Sequence, residues 1–171
     1  MPVTRLNHAV LYVSDVERSV AFYAEGLGFR TVNSLPGAAF LQAPGSTNDH
    51  DLGLFEIGSG AAASTAGRGS VGLYHLAWEV DTLDELERIA ATLSEMGSLH
   101  GASDHATTKA LYAKDPDGLE FEVSWLVPAE LIDEATLAGR TTIAPLDLAK
   151  EKERYGGQTR GGVGVSFPAV T

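Results

Sequence analysis

The spacing of apolar and polar positions changes several times along the chain, and the order of those changes repeats. Residues 6–13 (LNHAVLYV) are rich in β-branched and apolar side chains and predict a strand. Ser14-Asp15 then offers a helix N-cap, and Val16, Val20, Tyr23 and Leu27 follow at helical spacing until Gly26 and Gly28 end the run. Residues 29–32, 38–43 and 51–57 predict three more strands, divided by Pro36-Gly37 and a turn cluster over 44–48. The order is β-α-β-β-β.

Residues 58–72 are mostly Gly, Ala and Ser and read as a flexible linker. The pattern then restarts. Residues 73–80 predict a strand, Thr82 a cap, and residues 83–96 a helix with Leu86, Ile89 and Leu93 on one face, stopped at Gly97. A short strand follows near 98–103, then strands at 109–114 and 119–125, joined by the turn Asp115-Pro116-Asp117-Gly118. Aligned on their first strands, the halves place His8 of LNHAV against His75 of LYHLA. The predicted fold is α+β. Two βαβββ units, about 4–57 and 73–126, form an eight-stranded barrel or cup that leaves no exposed edges. A C-terminal extension, 127–171, predicts helices over 128–137 and 146–155 and a loose Gly-rich end from 156.

Composition narrows the chemistry. The 171 residues include no cysteine, which excludes disulfides, a thiol nucleophile and cysteine-ligated metals. Any metal must be held by nitrogen and oxygen. A net charge of −11 argues against nucleic acid or an anionic membrane as partner. No apolar run approaches the ~18 residues of a membrane span, and no basic segment followed by an apolar stretch marks a signal peptide. A cytoplasmic homo-oligomer acting on a small molecule is the expectation.

Three residues stand out against this background. His8 falls within the first apolar strand and His75 at the matching place of the second half. In the last strand Phe121 and Val123 take one face and Glu120, Glu122 and Ser124 the other. Imidazole and carboxylate groups buried on strands need partners, and one shared metal would serve His8, His75 and Glu122. Two histidines and a carboxylate with open positions is a donor set suited to non-haem Fe(II).

These marks resemble the vicinal oxygen chelate superfamily of glyoxalases, bleomycin-resistance proteins and type I extradiol dioxygenases. The resemblance spans about 4–126. It rests on Leu6-Asn7-His8-Ala9-Val10, Ser14-Asp15, Phe22-Tyr23, Leu27-Gly28-Phe29, His75, and Asp115-Pro116-Asp117-Gly118 four residues before Glu122. Within that superfamily the segment from Asp104-His105 to Tyr112, and His50 in His50-Asp51-Leu52-Gly53-Leu54, resemble one-barrel catechol 2,3-dioxygenase-like members. The resemblance implies a metal on His8, His75 and Glu122, namely Fe(II), with Mn(II), Ni(II) or Zn(II) as alternatives. It implies His50 as acid–base, with His105 and Tyr112 around a catechol-type diol that reacts with O2. Two other activities share the fold. A glyoxalase-like lyase or isomerase would add a fourth carboxylate, for which Glu56 is the candidate. A drug-binding resistance protein would need no metal.

Overall fold

A computed structural model describes residues 2–3, 5–66, 69–163 and 165–166. The chain divides into two compact units: residues 1–65 with 115–119, and 66–114 with 120–171. Each carries one βαβββ copy. The first contains β1 (Ala9–Val13), α1 (Val16–Leu27), β2 (Arg30–Leu35), β3 (Ala38–Gln42) and β4 (Leu52–Glu56). The second contains β5 (Leu76–Glu79), α2 (Leu83–Glu95), β6 (Leu99–Asp104), β7 (Thr108–Lys114) and β8 (Glu120–Leu126). Among the described residues no helix is long and apolar enough to cross a membrane.

The strands hydrogen-bond into two mixed sheets, ordered β1-β4-β3-β2 and β5-β8-β7-β6-β9, where β9 is the short Ala144–Pro145 strand. In both, the first strand runs parallel to the fourth and the remaining pairs are antiparallel. The duplication reaches single residues. One β-bulge interrupts the register between Thr31 and Asn33, and another between Leu99 and Gly101 at the matching place.

Both helices start where their caps predict. Asp15 accepts from the Arg18 amide and Thr82 from the Glu85 amide. Gly28 closes α1 in the left-handed region at φ 74°, the conformation that favours glycine there. Phe22, Tyr23 and Leu27 bury the inner face of α1, and Leu83, Leu86, Ile89 and Leu93 that of α2. The Asp115–Gly118 turn packs with the first unit, where Tyr23 Oη donates to Asp115 and Arg18 pairs with Asp117 at 2.8 Å. Burial raises the Asp115 carboxyl above its usual range and, with Asp115 beside it, the Tyr23 phenol well above its own.

Three expectations need correction. The first and fifth strands begin at Ala9 and Leu76, so His8 and His75 precede their strands rather than sit within them. The reason is pairing: β1 finds partners only from Leu52 onward, because residues 44–51 turn away. The helix expected over 128–137 is instead a single 3-10 turn at Ala129–Leu131 followed by α3 (Glu134–Gly139), capped by Asp133. Of the end expected to be loose, residues 156–163 and 165–166 are packed, while 164 and 167–171 lie outside the described residues: Trp125 Nε1 donates to the Thr159 carbonyl, Gly161 N to Asp81 O, and the buried Ser166 hydroxyl to Leu126 O. Within that extension α4 (Leu148–Tyr155) forms as expected, and the short β9 (Ala144–Pro145) adds to the edge of β6. In the linker, Gly58 turns at φ 86° and the described residues form irregular chain; 67 and 68 lie outside the described residues.

Candidate metal and substrate site

In the first unit, the loop over 44–51 is organised by Asp51. Its carboxylate accepts from Ala43 N at 2.9 Å, and from Ser46 Oγ and Asn48 Nδ2 at 2.8 Å each. Asn48 also donates to Asn7 O, which ties the loop to the segment before β1. The result sets the His50 ring 4.6 Å from the His8 ring and 5.1 Å from Phe40. His8 is exposed; His50 is half-buried.

Each of these histidines is fixed by the residue just before it. His8 Nδ1 lies 2.8 Å from Asn7 Oδ1, and His50 Nδ1 lies 2.8 Å from Asp49 Oδ2. An oxygen acceptor at Nδ1 selects the tautomer whose Nε2 carries the free lone pair. That lone pair is what a metal or a mobile proton requires.

In the second unit, His75, Tyr112, Glu122 and His105 come together. Tyr112 and Glu122 stand opposite one another across β7 and β8, and Ala77 faces Glu122 on β5. Glu122 Oε2 is 3.3 Å from His75 Nε2, both side chains mostly covered. His75 Nδ1 is buried without a hydrogen-bond partner among the described residues. The Tyr112 ring is 6.1 Å from the His75 ring, and its hydroxyl is 3.0 Å from His105 Nε2. Burial, then the Glu122 carboxylate, then Tyr74 raise the Tyr112 phenol above its usual value, so it stays protonated and able to donate at neutral pH. Glu120, on the same strand face as Glu122, pairs instead with Lys114 at 3.5 Å.

A metal suits these donors. Two ligands about 2.1 Å from one ion and at right angles stand about 3 Å apart, close to the His75–Glu122 separation. A neutral imidazole and a carboxylate, as in His75 and Glu122, are donors suited to a borderline divalent ion. Among the described residues no three His, Asp or Glu side chains gather as a complete cluster. His8 and His50 form one grouping, His75 and Glu122 with Tyr112 and His105 the other.

The register also shows what the first unit lacks. Gly53 holds the place in β4 that Glu122 holds in β8, each opposite the second residue of its parallel partner strand. Phe40 correspondingly holds the place of Tyr112. Glu56, the one acidic residue of β4, accepts from the Val16 amide at 3.0 Å at the start of α1.

Several contributors were not legible beforehand. Asp104 and Glu151 form an ion-pair group around the buried Lys109, with Lys109 Nζ 2.6 Å from Asp104 and 2.8 Å from Glu151. The only prior signal was a lysine inside an otherwise apolar strand. Asn7 and Asp49 were visible only as neighbours of histidines.

The Glyoxalase/Bleomycin resistance protein/Dioxygenase superfamily model matches residues 5–123. A catechol-2,3-dioxygenase of Bacillus subtilis (strain 168) is 34% identical over 120 residues, 70% of this chain and 41% of the relative. Metapyrocatechase 2 of Cupriavidus necator is 30% identical over 98 residues, 57% of this chain and 27% of the relative. The chain thus spans less than half the length of these curated relatives. Among solved structures, a glyoxylase/bleomycin resistance protein/dioxygenase domain from Frankia sp. EAN1pec superposes with TM-score 0.61 at 20% identity, covering 72% of this chain and 92% of that one. A lactoylglutathione lyase from Agrobacterium tumefaciens gives TM-score 0.54 at 23% identity, covering 72% and 95%. These two show a shared fold.

Proposed function

The chain belongs to the Glyoxalase/Bleomycin resistance protein/Dioxygenase superfamily, and on that footing we propose that it is a metal-dependent extradiol dioxygenase that opens the ring of a catechol-type aromatic. The observation that carries this reading is the hydrogen-bonded His105–Tyr112 pair beside the His75–Glu122 pair. Ring cleavage has a use for both pairs. The two curated relatives named for catechol cleavage support the same class.

His8, His75 and Glu122 would hold the metal, Fe(II) by the chemistry of the donor set. When bound, that ion supplies a Lewis acid able to chelate a vicinal diol and to bind dioxygen. The residues do the rest. His50 takes the proton that one diol hydroxyl must lose and returns it later; with Nδ1 engaged by Asp49, Nε2 is the nitrogen that moves it. Tyr112 donates a hydrogen bond to a substrate oxygen, and its raised phenol keeps that proton in place. His105, 3.0 Å from the Tyr112 hydroxyl, orients Tyr112 and the ring. Phe40, against His50, offers an apolar wall for an aromatic substrate. Both oxygen atoms of O2 enter the product, so no outside reductant is consumed.

A glyoxalase-like reaction is the less well supported reading. It calls for a fourth carboxylate from the first unit, but Gly53 stands where Glu122 has its counterpart, and Glu56 already caps α1. The test is oxygen uptake. Protein loaded anaerobically with Fe(II) and mixed with a panel of catechols should consume one O2 per catechol and form a yellow ring-opened semialdehyde. No uptake with any catechol, alongside turnover of a methylglyoxal–thiol adduct, would replace this reading with the lyase.

A further inference from the structure

His105 sits at the tip of a hairpin that the first unit does not have. The β2–β3 turn closes over Pro36 and Gly37 alone, whereas β6 and β7 stay paired as far as Asp104 and Lys109 and are joined by His105, Ala106 and Thr107. That longer turn is strained. Ala106 has φ 62°, the one described residue other than glycine with positive φ, and Thr107 N donates back to His105 O at 2.7 Å to close a γ-turn around it. Such turns cost energy and persist only where their surroundings hold them.

Three parts of the C-terminal extension bear on this turn. β9 pairs with Ser103 and Asp104 along the outer edge of β6. Gly139, the last residue of α3, lies against Ala106 so closely that an added Cβ would come within 3.0 Å of the Ala106 Cβ. From α4, the buried Glu151 carboxylate lies 2.8 Å from Lys109 Nζ, and Lys109, fully buried, holds Asp104 at 2.6 Å. The same Asp104 oxygen accepts from the Ala106 amide at 2.7 Å. Glu151 is therefore linked through Lys109 and Asp104 to the backbone that carries His105. The Tyr155 ring, 5.6 Å from Lys109 Nζ, closes the pocket around that cation.

We propose that the C-terminal extension acts as a clamp that positions His105 against Tyr112, with Glu151, Lys109 and Gly139 as positioning residues. The clamp rests on the proposed function only for what His105 does to substrate. A charge buried between two carboxylates has one low-energy arrangement, so it holds the turn to a single geometry. A loop left to itself would spread over several, and a displacement of about 1 Å at a substrate-orienting group can cost up to ~100-fold in rate.

The experiment reads His105 directly, in metal-free protein, by long-range 1H–15N correlation of its imidazole. Wild-type protein should show one fixed tautomer. Glu151→Gln, which keeps the shape and removes the charge, should move His105 toward the averaged signal of a free imidazole. Gly139→Ala, which presses on Ala106 from the other side, should do the same, and serves as the deciding variant if Glu151→Gln does not fold. Ile89→Val, a mild core change under α2, is the control for destabilisation alone and should leave His105 as in wild type. With Fe(II) and a catechol, Glu151→Gln should lose about tenfold in kcat/KM, mostly through KM, as for loss of an orienting partner. His105 signals unchanged in the folded variants, or moved equally by Ile89→Val, would overturn the clamp. If wild-type protein turns over no catechol, the proposed function falls, while the imidazole spectrum still decides the clamp.

Discussion

β3 of the first unit and β7 of the second hold the same place in the same sheet plan, yet Phe40 stands in one where Tyr112 stands in the other. Their neighbours differ in the same way: Gly53 faces Phe40, and Glu122 faces Tyr112. The edges differ too. β2 is exposed along its whole length, while β6 is covered by β9 and its turn is held by Glu151 and Gly139. Backbone plan and bulge are shared, so these are what the fold itself demands, while the histidine leading each half is the proposed metal ligand. The carboxylate, the phenol and the extended hairpin occur on one side only. Those are the parts the chemistry would demand.

The comparison breaks first at His50, the one candidate proton carrier of the first unit. His50→Phe should keep stoichiometric metal, since the proposed donor set does not include His50, and lower kcat by about two to four orders of magnitude, the range for losing a general acid or base. Steady-state oxygen uptake paired with metal analysis checks it. Loss of metal would instead make His50 part of the donor set.

The next effect is on stability, and it belongs to the second unit. Lys109→Met leaves the Asp104 and Glu151 carboxylates without the cation between them, and breaking a buried pair in this way costs about 3–5 kcal/mol. At the matching turn of the first unit, Pro36→Ala should cost less than about 1 kcal/mol. Urea unfolding of both variants measures the contrast; equal costs would mean that the second hairpin is held no more firmly than the first.

The smallest effect sharpens the asymmetry. Glu56→Gln should leave metal content and turnover unchanged and remove about 0.5–1 kcal/mol through weaker capping of α1. A fall in bound metal would bring Glu56 into the site and favour a four-ligand lyase.

How much of this could be read from the chain depended on range. The α1 bounds follow from Asp15, Gly28 and the apolar spacing between them, all local, and the helix runs over the residues expected. The apolar sequence around His8 and His75 places both strand starts three residues early, because strand limits depend on where a partner begins. The pairing of Tyr112 with Glu122 and with His105 follows once the hairpin register is known, and the sequence had already named all three. The clamp was not legible. Glu151 looks like one charge in a charged helix, and its burial against Lys109 depends on how residues 127–155 fold back, which no local pattern encodes.

The central proposal is that His8, His75 and Glu122 are the protein ligands of one divalent ion. The most direct measurement is metal content after anaerobic Fe(II) loading and desalting, on wild type, His8→Ala, His75→Ala and Glu122→Gln, with folding confirmed by circular dichroism. One iron per chain in wild type, and loss of stoichiometric iron in all three folded variants, is the expected result. Full occupancy in His8→Ala would contradict the proposed donor set and leave only His75 and Glu122 as candidate ligands.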